Sequence, residues 1–334
     1  MLTDDLPGAG VFHHQPVLLE EVAELMAGCA RVLDGTVGGG GHAARLAAAG
    51  ARVLGLDRDP EAVRAAGRAL GAAATVREGD YAAAAADPDV AAFRPDGVLL
   101  DLGVSSPQLD EPARGFSFRP GTALDMRMGP AGPTAADWLA SAPEAELAAA
   151  FRDWADERRA RALAREIVRR RGHRPFETSD DLVGAIRAVL GPRSGPDDFA
   201  RLFQAVRIAV NGEVERLARA LPALLDLLEP GGVLAVVGYH SGEDRVVKHA
   251  FAEWARACVC PPAQPVCTCR GRALGTVLTR RPVRPGPAEL AANPRARSAR
   301  LRAFRKAAPA EPAPAARPSS ASPAHDAPRR GAAA

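Results

Sequence analysis

The chain has 334 residues, 47% of them apolar and 25% charged, with a formal net charge of +3. This is the composition of an ordinary globular protein with room for about two domains of roughly 150 residues, and it excludes a collagen-like, wholly disordered or disulfide-stapled miniature chain. No apolar run approaches the roughly 20 residues that span a bilayer, and the chain does not open on a basic start followed by an apolar block, so a cytoplasmic protein with no membrane partner is expected.

Lysine stands only at Lys248 and Lys306, and arginine carries the remaining positive charge. That charge is concentrated between Arg270 and Lys306, where ten arginines and one lysine face one acid, Glu289. Such a segment attracts polyanions and makes nucleic acid a candidate partner, with a solvated arginine surface as the plainer alternative.

From Arg31 to Leu102 short aliphatic runs alternate with helical segments. RVLD, RVLGLD, ATVREGD and DGVLLDL read as four strands, each with an aspartate near its carboxyl end. The alternation predicts a parallel α/β sheet, whose ligands bind outside the carboxyl ends of the strands, where Asp34, Asp57, Asp80 and Asp101 stand. From about Thr134 to Pro196 the strand signal gives way to helices broken by Pro, Gly and His, which predicts an inserted helical domain. A long helix from about Asp198 to Leu221, ended by EPGG, then leads into the strand GGVLAVVGYH. GTVLTRRP and SARLRAF are predicted as the last strands, the second with Ala299, Leu301 and Ala303 on one face and Arg300 and Arg302 on the other. The chain thus divides into residues 1–110, the first part of the sheet domain; 111–196, the helical insertion expected to recognise substrate; 197–306, the second part with its basic segment; and 307–334, an Ala/Pro/Ser/Arg-rich tail that cannot bury enough surface to order itself.

In VLDGTVGGGGHAARL, Gly38, Gly39, Gly40 and Gly41 lie between a strand and a helix, where missing side chains let a ligand approach the amides of the helix start. Two cofactors fit. Gly38, Gly40 and Ala43 match the GxGxxA pattern of a dinucleotide site, with Asp57 as the ribose partner, which would make the chain an oxidoreductase. Asp34 argues for S-adenosylmethionine, because a carboxylate there repels a pyrophosphate and attracts an amino group and a sulfonium. Asp57 would then hold the ribose hydroxyls, with Asp80 and Tyr81 beside the adenine. For any one of these acids, a helix cap is the plainer alternative.

In DGVLLDLGVSSPQLD, Asp101 ends the fourth strand, and Ser105, Ser106, Pro107 and Gln108 follow as a polar turn where a substrate meets the cofactor. A base amine is a poor nucleophile because its lone pair is delocalised into the ring, so acceptors must hold its N–H groups during attack. Asp101, Ser105 and Ser106 suit that task; a turn capping a helix is the alternative for either serine.

HQPVLLEEV, DGTVGGGGH, DRDPEA, LLDLGVSSPQLD, ARGFSFRPGTALDMRM, FQAVRIAVN, YHSGEDRVVK and NPRARSARLR run in order from about His14 to Arg302 and resemble the bacterial RsmH (MraW) family, the small-subunit ribosomal RNA cytosine-N4 methyltransferases. The resemblance implies a class I Rossmann-like methyltransferase sheet with an inserted small helical domain. It also implies S-adenosylmethionine-dependent methylation of N4 of a specific cytidine in the decoding region of 16S rRNA within the small ribosomal subunit. The family's cofactor contacts carry over onto Gly40, Gly41, His42, Asp57, Tyr81, Asp101 and Gln108; the reading of the residues themselves adds Asp34. Tyr81 stands where the family commonly has Phe and keeps a stacking face. Tyr239-His240-Ser241-Gly242 stands where Phe-His-Ser-Leu is usual, which predicts a more flexible strand-end loop. His240 is a candidate for contact with base or phosphate, weighed equally against a structural role. With no cysteine placed to attack the base, direct in-line transfer is expected. A non-catalytic assembly factor and a homodimer stay open.

Two surfaces are candidates for RNA. Arg158, Arg161, Arg165 and Arg169 recur at helical spacing opposite Leu163 and Ile167, and NPRARSARLR lies in the basic segment. Cys29 reads as a buried small residue. Cys258, Cys260, Cys267 and Cys269, in CVCPPAQPVCTC, suit four thiolates around a structural zinc, against free thiols or a labile disulfide.

Overall fold

In the computed structural model of the chain, residues 16–264 and 266–308 are described, with the backbone alone at Ser106 and Pro107. His14 and nearly all of the C-terminal tail lie outside the described residues.

Seven strands build one sheet: β1 Arg31–Asp34, β2 Arg52–Asp57, β3 Ala74–Glu78, β4 Gly97–Asp101, β5 Val233–Gly238, β6 Gly275–Val277 and β7 Arg300–Lys306. Their order is β3-β2-β1-β4-β5-β7-β6. The first five pair in parallel, and β7 lies antiparallel between β5 and β6. β1, β4 and β5 are covered on both faces, which is why their sequences are unbroken aliphatic runs and not alternating ones. The register brings Asp34 level with Gly55 and Leu99, so the strand-end acids share the carboxyl edge of the sheet.

Around the sheet lie α1 Leu19–Leu25, α2 Gly41–Ala48, α3 Pro60–Leu70, α4 Pro88–Phe93 and α5 Ser106–Asp110. The helical insertion follows as α6 Ala135–Ser141, α7 Glu144–Ala155, α8 Ala160–Arg171, α9 Ser179–Leu190 and α10 Pro196–Asn211, and the chain returns through α11 Glu213–Leu227, α12 Ser241–Trp254 and α13 Pro287–Ala292. The insertion has its own core, in which Phe151, Leu163, Ile167, Ile186 and Phe203 are buried. Capping boxes at Thr134–Asp137 and Thr178–Asp181 start α6 and α9.

Two expectations need correction. The helix expected over Asp198 to Leu221 is two helices, broken at Gly212, whose φ of 57° is a left-handed conformation that glycine adopts without strain. Residues of α10, grouped by composition with the second part of the sheet domain, pack Phe199, Leu202 and Phe203 into the core of the helical insertion. On β7 the alternation holds, and its arginine side is covered by α12: Arg302 is buried, with Nε donating to Asp244 at 2.6 Å, and Arg300 reaches the same carboxylate at 3.4 Å. α12 covers this face by packing Phe251 and Trp254 on Phe304 of β7, with ring centroids 5.4–5.5 Å apart; each such pair adds about 0.5–1.5 kcal/mol beyond burial. No helix among the described residues is long and apolar enough to cross a membrane.

Candidate active site

The carboxyl edge of the sheet gathers the acids that end β1, β2 and β4. Asp34 is 1% exposed, and its Oδ1 accepts the Thr36 amide at 3.2 Å. Burial pushes its carboxyl up to about 7, against the lowering influence of His42 and the Thr36 amide. Asp101 follows β4, its side chain 21% exposed; its amide donates to Thr36 Oγ1 at 2.6 Å and its Oδ1 accepts from the Tyr239 hydroxyl at 2.8 Å. Burial and the adjacent negative Asp101 push the Tyr239 hydroxyl well above its ordinary range, so it remains a donor.

The loop after β1 delivers His42 to this edge. Gly40 caps α2 with a φ of 87°, a turn that a side chain would strain, and a Cβ on Gly41 would lie 2.2 Å from Pro16 Cγ. The turn starts α2 with first-turn amides that have no intrahelical acceptor. His42 is buried, and its Nε2 lies 3.5 Å from Asp101 Oδ2. Burial works against a charge on its ring, but Asp101 and then Asp34 outweigh it and raise its pKa. Neither ring nitrogen has a hydrogen-bond partner among the described residues. A buried imidazole with a carboxylate at 3.5 Å and no full hydrogen bond among the described residues is costly unless something else completes the cluster.

Asp57, ending β2, accepts the amides of Gly38 at 3.0 Å and Asp59 at 2.9 Å and so ties the glycine loop to the next strand. Burial raises its carboxyl in spite of these bonds. Tyr81 is half-buried after β3 and packs against Gly35, where a Cβ would come within 2.9 Å of it. Asp80, expected beside an adenine, is instead ion-paired with Arg216 of α11 and accepts the Ala82 amide at 2.9 Å.

Gln108 is buried and fully engaged within the chain. Its Nε2 donates to Asp59 Oδ2 at 2.8 Å and its Oε1 accepts the Ser105 amide at 3.1 Å. Arg114 reaches the same Asp59 oxygen at 2.7 Å. Ser105 thus opens the turn through its backbone, while the side chain of Ser106 lies outside the described residues. Asp59 went unnoticed in the sequence, although Asp followed by Pro60 at a helix start is a capping signal.

His240 does not face the acidic edge as a free group. It is the N-cap of α12, its Nδ1 accepting the Glu243 amide at 3.3 Å, while Glu243 Oε2 accepts the amides of Tyr239 at 2.7 Å and His240 at 3.2 Å. Beside them Glu213 holds Arg207 through two hydrogen bonds of 2.8 Å. Burial opposes the charge of Glu243, but His240, the Tyr239 amide and Arg207 outweigh it and lower its pKa. The flexible loop expected from Gly242 is also corrected. Gly242 is buried inside α12, and a Cβ there would meet the His240 ring and Trp154 of α7 at 3.0–3.1 Å. The missing side chain makes room for the insertion to pack.

A cleft of about 630 Å³ separates the insertion from α11, lined by Trp138, Trp154, Asn211, Arg216 and Arg219 among others. Asp34, His42 and Asp101 are not part of its lining. Of the expected RNA contacts, Arg161, Arg165 and Arg169 are exposed along α8 and Arg158 is exposed in the turn before it, with Arg169 ion-paired to Glu166 at 2.8 Å. In NPRARSARLR, Arg297 is exposed, whereas Arg295 reaches Asp110 at 2.7 Å and Arg300 and Arg302 are held by Asp244.

The sheet order with β7 reversed and the acids at one edge can be compared with known proteins. The small-subunit rRNA methyltransferase H of Gemmatimonas aurantiaca is 57% identical over 299 residues, covering 87% of this chain and 94% of the relative. That of Heliobacterium modesticaldum is 47% identical over 309 residues, covering 88% and 98%. An rRNA methylase of Streptococcus thermophilus, solved by crystallography, covers 86% of this chain and 93% of its own at 12% identity and a TM-score of 0.37, too loose a likeness to add to the strand order. The sequence pattern described as the MraW methylase family matches residues 11–307, and with relatives this similar over most of its length the chain belongs to that family.

Proposed function

We propose that the chain transfers a methyl group from S-adenosylmethionine to N4 of a cytidine in 16S rRNA of the small ribosomal subunit, a substrate that sets it in the cytoplasm. The observation that carries this reading is the buried Asp34–His42–Asp101 cluster at the carboxyl edge. Its acids favour a positively charged ligand, and its histidine has no hydrogen-bond partner among the described residues. When bound, S-adenosylmethionine supplies a methyl group on a cationic sulfur. Asp34 attracts the ligand's positive charge, Asp57 and the Gly38 amide border the ribose position, Tyr81 offers a stacking face, and the start of α2 meets the ligand through Gly40, Gly41 and His42. Gln108 acts through Asp59 and Ser105, holding the turn after β4 in place. His240 sets the start of α12 and thereby the position of Tyr239.

Asp101 is the group for the acceptor amine. Tyr239 occupies one lone-pair site on its Oδ1, and a carboxylate has about four, so it can still accept an N–H and orient the nitrogen. Forming the N–C bond leaves the sulfur with its electron pair, and the nitrogen's proton passes to a nearby acceptor or water. The transfer is direct. Among the described residues no thiol stands at this edge: Cys29 bonds the Asp96 carbonyl at the opposite end of the sheet, and the other cysteines lie in the loop after α12.

The test uses labelled S-adenosylmethionine and small subunits from a strain lacking the gene, with nucleoside mass spectrometry. A single N4-methylated cytidine, lost with Asp101→Ala, is the expected result. Subunit binding without any methyl transfer would replace the reading with an assembly role.

A further inference from the structure

We propose that Cys258, Cys260, Cys267 and Cys269 form a closed tetrathiolate site for one zinc ion, at the edge of the sheet opposite the acids. Four Sγ–Sγ separations are 3.7 Å (258–267), 3.9 Å (260–267), 3.5 Å (267–269) and 3.8 Å (258–269), and all four sulfurs lie within 4.8 Å of one another. Zinc–sulfur bonds of about 2.3 Å arranged tetrahedrally give edges of about 3.8 Å. A disulfide brings its sulfurs to about 2.05 Å, and thiols placed only for packing have no reason to gather at these separations.

The surroundings fit a bound ion. Cys258 and Cys267 are exposed, and no helix or strand interrupts the chain between α12 and β6, so no apolar core holds the four sulfurs together. The Val259 amide donates to Cys269 Sγ at 3.3 Å, an arrangement that stabilises a thiolate. The Gln264 amide group spans the loop by donating to the Val266 carbonyl and Thr268 Oγ1, both at 2.8 Å. Arg270 anchors the far end on the terminus of α12, donating to the Arg256 carbonyl at 3.2 Å and to Glu253 Oε1 at the same distance. On binding, four thiols release four protons to solvent, four Zn–S bonds form, and no electron is transferred. The product carries two negative charges, and Arg256, Arg270 and Arg272 in the same loop supply positive charge nearby. Four sulfurs leave no open coordination position, so the ion is structural: it fastens the end of α12 to the edge strand β6. Soft thiolates select against magnesium and calcium.

The test is the metal content of the full chain, produced with added zinc and purified without chelators. About one zinc per chain is expected, falling at least tenfold in Cys258→Ser/Cys267→Ser, whose S-adenosylmethionine affinity stays within twofold because the loop lies away from the cofactor edge. Cobalt loaded into the stripped wild-type chain is expected to give the intense absorption of tetrahedral thiolate cobalt, a readout that does not depend on the variant folding. Zinc-free protein with four alkylatable thiols or two disulfides would overturn the proposal; so would zinc that persists undiminished in the double variant, or iron in its place. Because metal content is read without activity, this result stands apart from that of the methylation test.

Discussion

Two buried clusters, each of acids and a histidine, lie at the same edge of the sheet, and they differ in how far their charges are answered. In the first, Arg207 grips Glu213 with two hydrogen bonds, Glu243 accepts two backbone amides, and His240 caps a helix through Nδ1, leaving only its Nε2, 3.3 Å from Glu243 Oε1, without a hydrogen bond among the described residues. In the second, Asp34 is pushed up to about 7 by burial, and His42 approaches Asp101 only to 3.5 Å, with neither nitrogen hydrogen-bonded among the described residues. The answered cluster has the character of a structural joint between insertion and sheet. The unanswered one has the character of a site whose missing partner is a ligand.

Substitutions should separate the two clusters by what they damage. The largest effect expected is on folding: Glu243→Ala strands His240 and two buried amides and should cost about 3–5 kcal/mol in chemical denaturation, while a loss under 1 kcal/mol would mean that the joint is not structural. Asp101→Ala should do the reverse, lowering methyl transfer about 10²–10³-fold with the unfolding midpoint nearly unchanged. Next, Gly242→Leu forces a side chain against His240 and Trp154 and should destabilise by about 1–3 kcal/mol; an unchanged midpoint would show that the insertion yields easily.

The fourth effect is a pH dependence. A cationic ligand favours ionised Asp34, so S-adenosylmethionine affinity measured by calorimetry should hold above the free-protein value of about 7 and fall as the pH drops below it, by up to about tenfold per unit. Asp34→Asn should bind weakly and flatten that slope, and a flat wild-type profile would remove Asp34 from the site. The smallest effect is that of Tyr239→Phe, which removes one hydrogen bond to Asp101 and should reduce transfer by the equivalent of about 1 kcal/mol.

The sheet was legible because β1, β2 and β4 are short aliphatic runs ended by aspartates, a pattern set by their burial and by the placement of ligands at one edge. The break at Gly212 was not legible, because the hydrophobic period continues through α10 and α11 and only the left-handed glycine interrupts it. Nor could the cover over Arg302 be read, since alternation reports which side of a strand a residue faces but not whether a helix carrying Asp244 covers that side. In the candidate site, the acids and the glycine loop could be read locally. The partner of Gln108 could not, because Asp59 is distant in sequence, nor could the Arg207–Glu213 pair beside His240, because it comes from the junction of α10 and α11. Only the spacing of His240 and Glu243, that of a capping box, offered a signal.

The position of β7 bears on how the protein is made. β5 is buried along its whole length, yet the strand that closes its outer side is the last element of the sheet in the chain. During synthesis β5 therefore emerges with a bare row of amides and carbonyls long before Arg300–Lys306 has left the ribosome. Such an edge is a template for pairing with other nascent chains. A chain cut just before Arg300 would keep every acid of the candidate site and still be expected in the insoluble fraction.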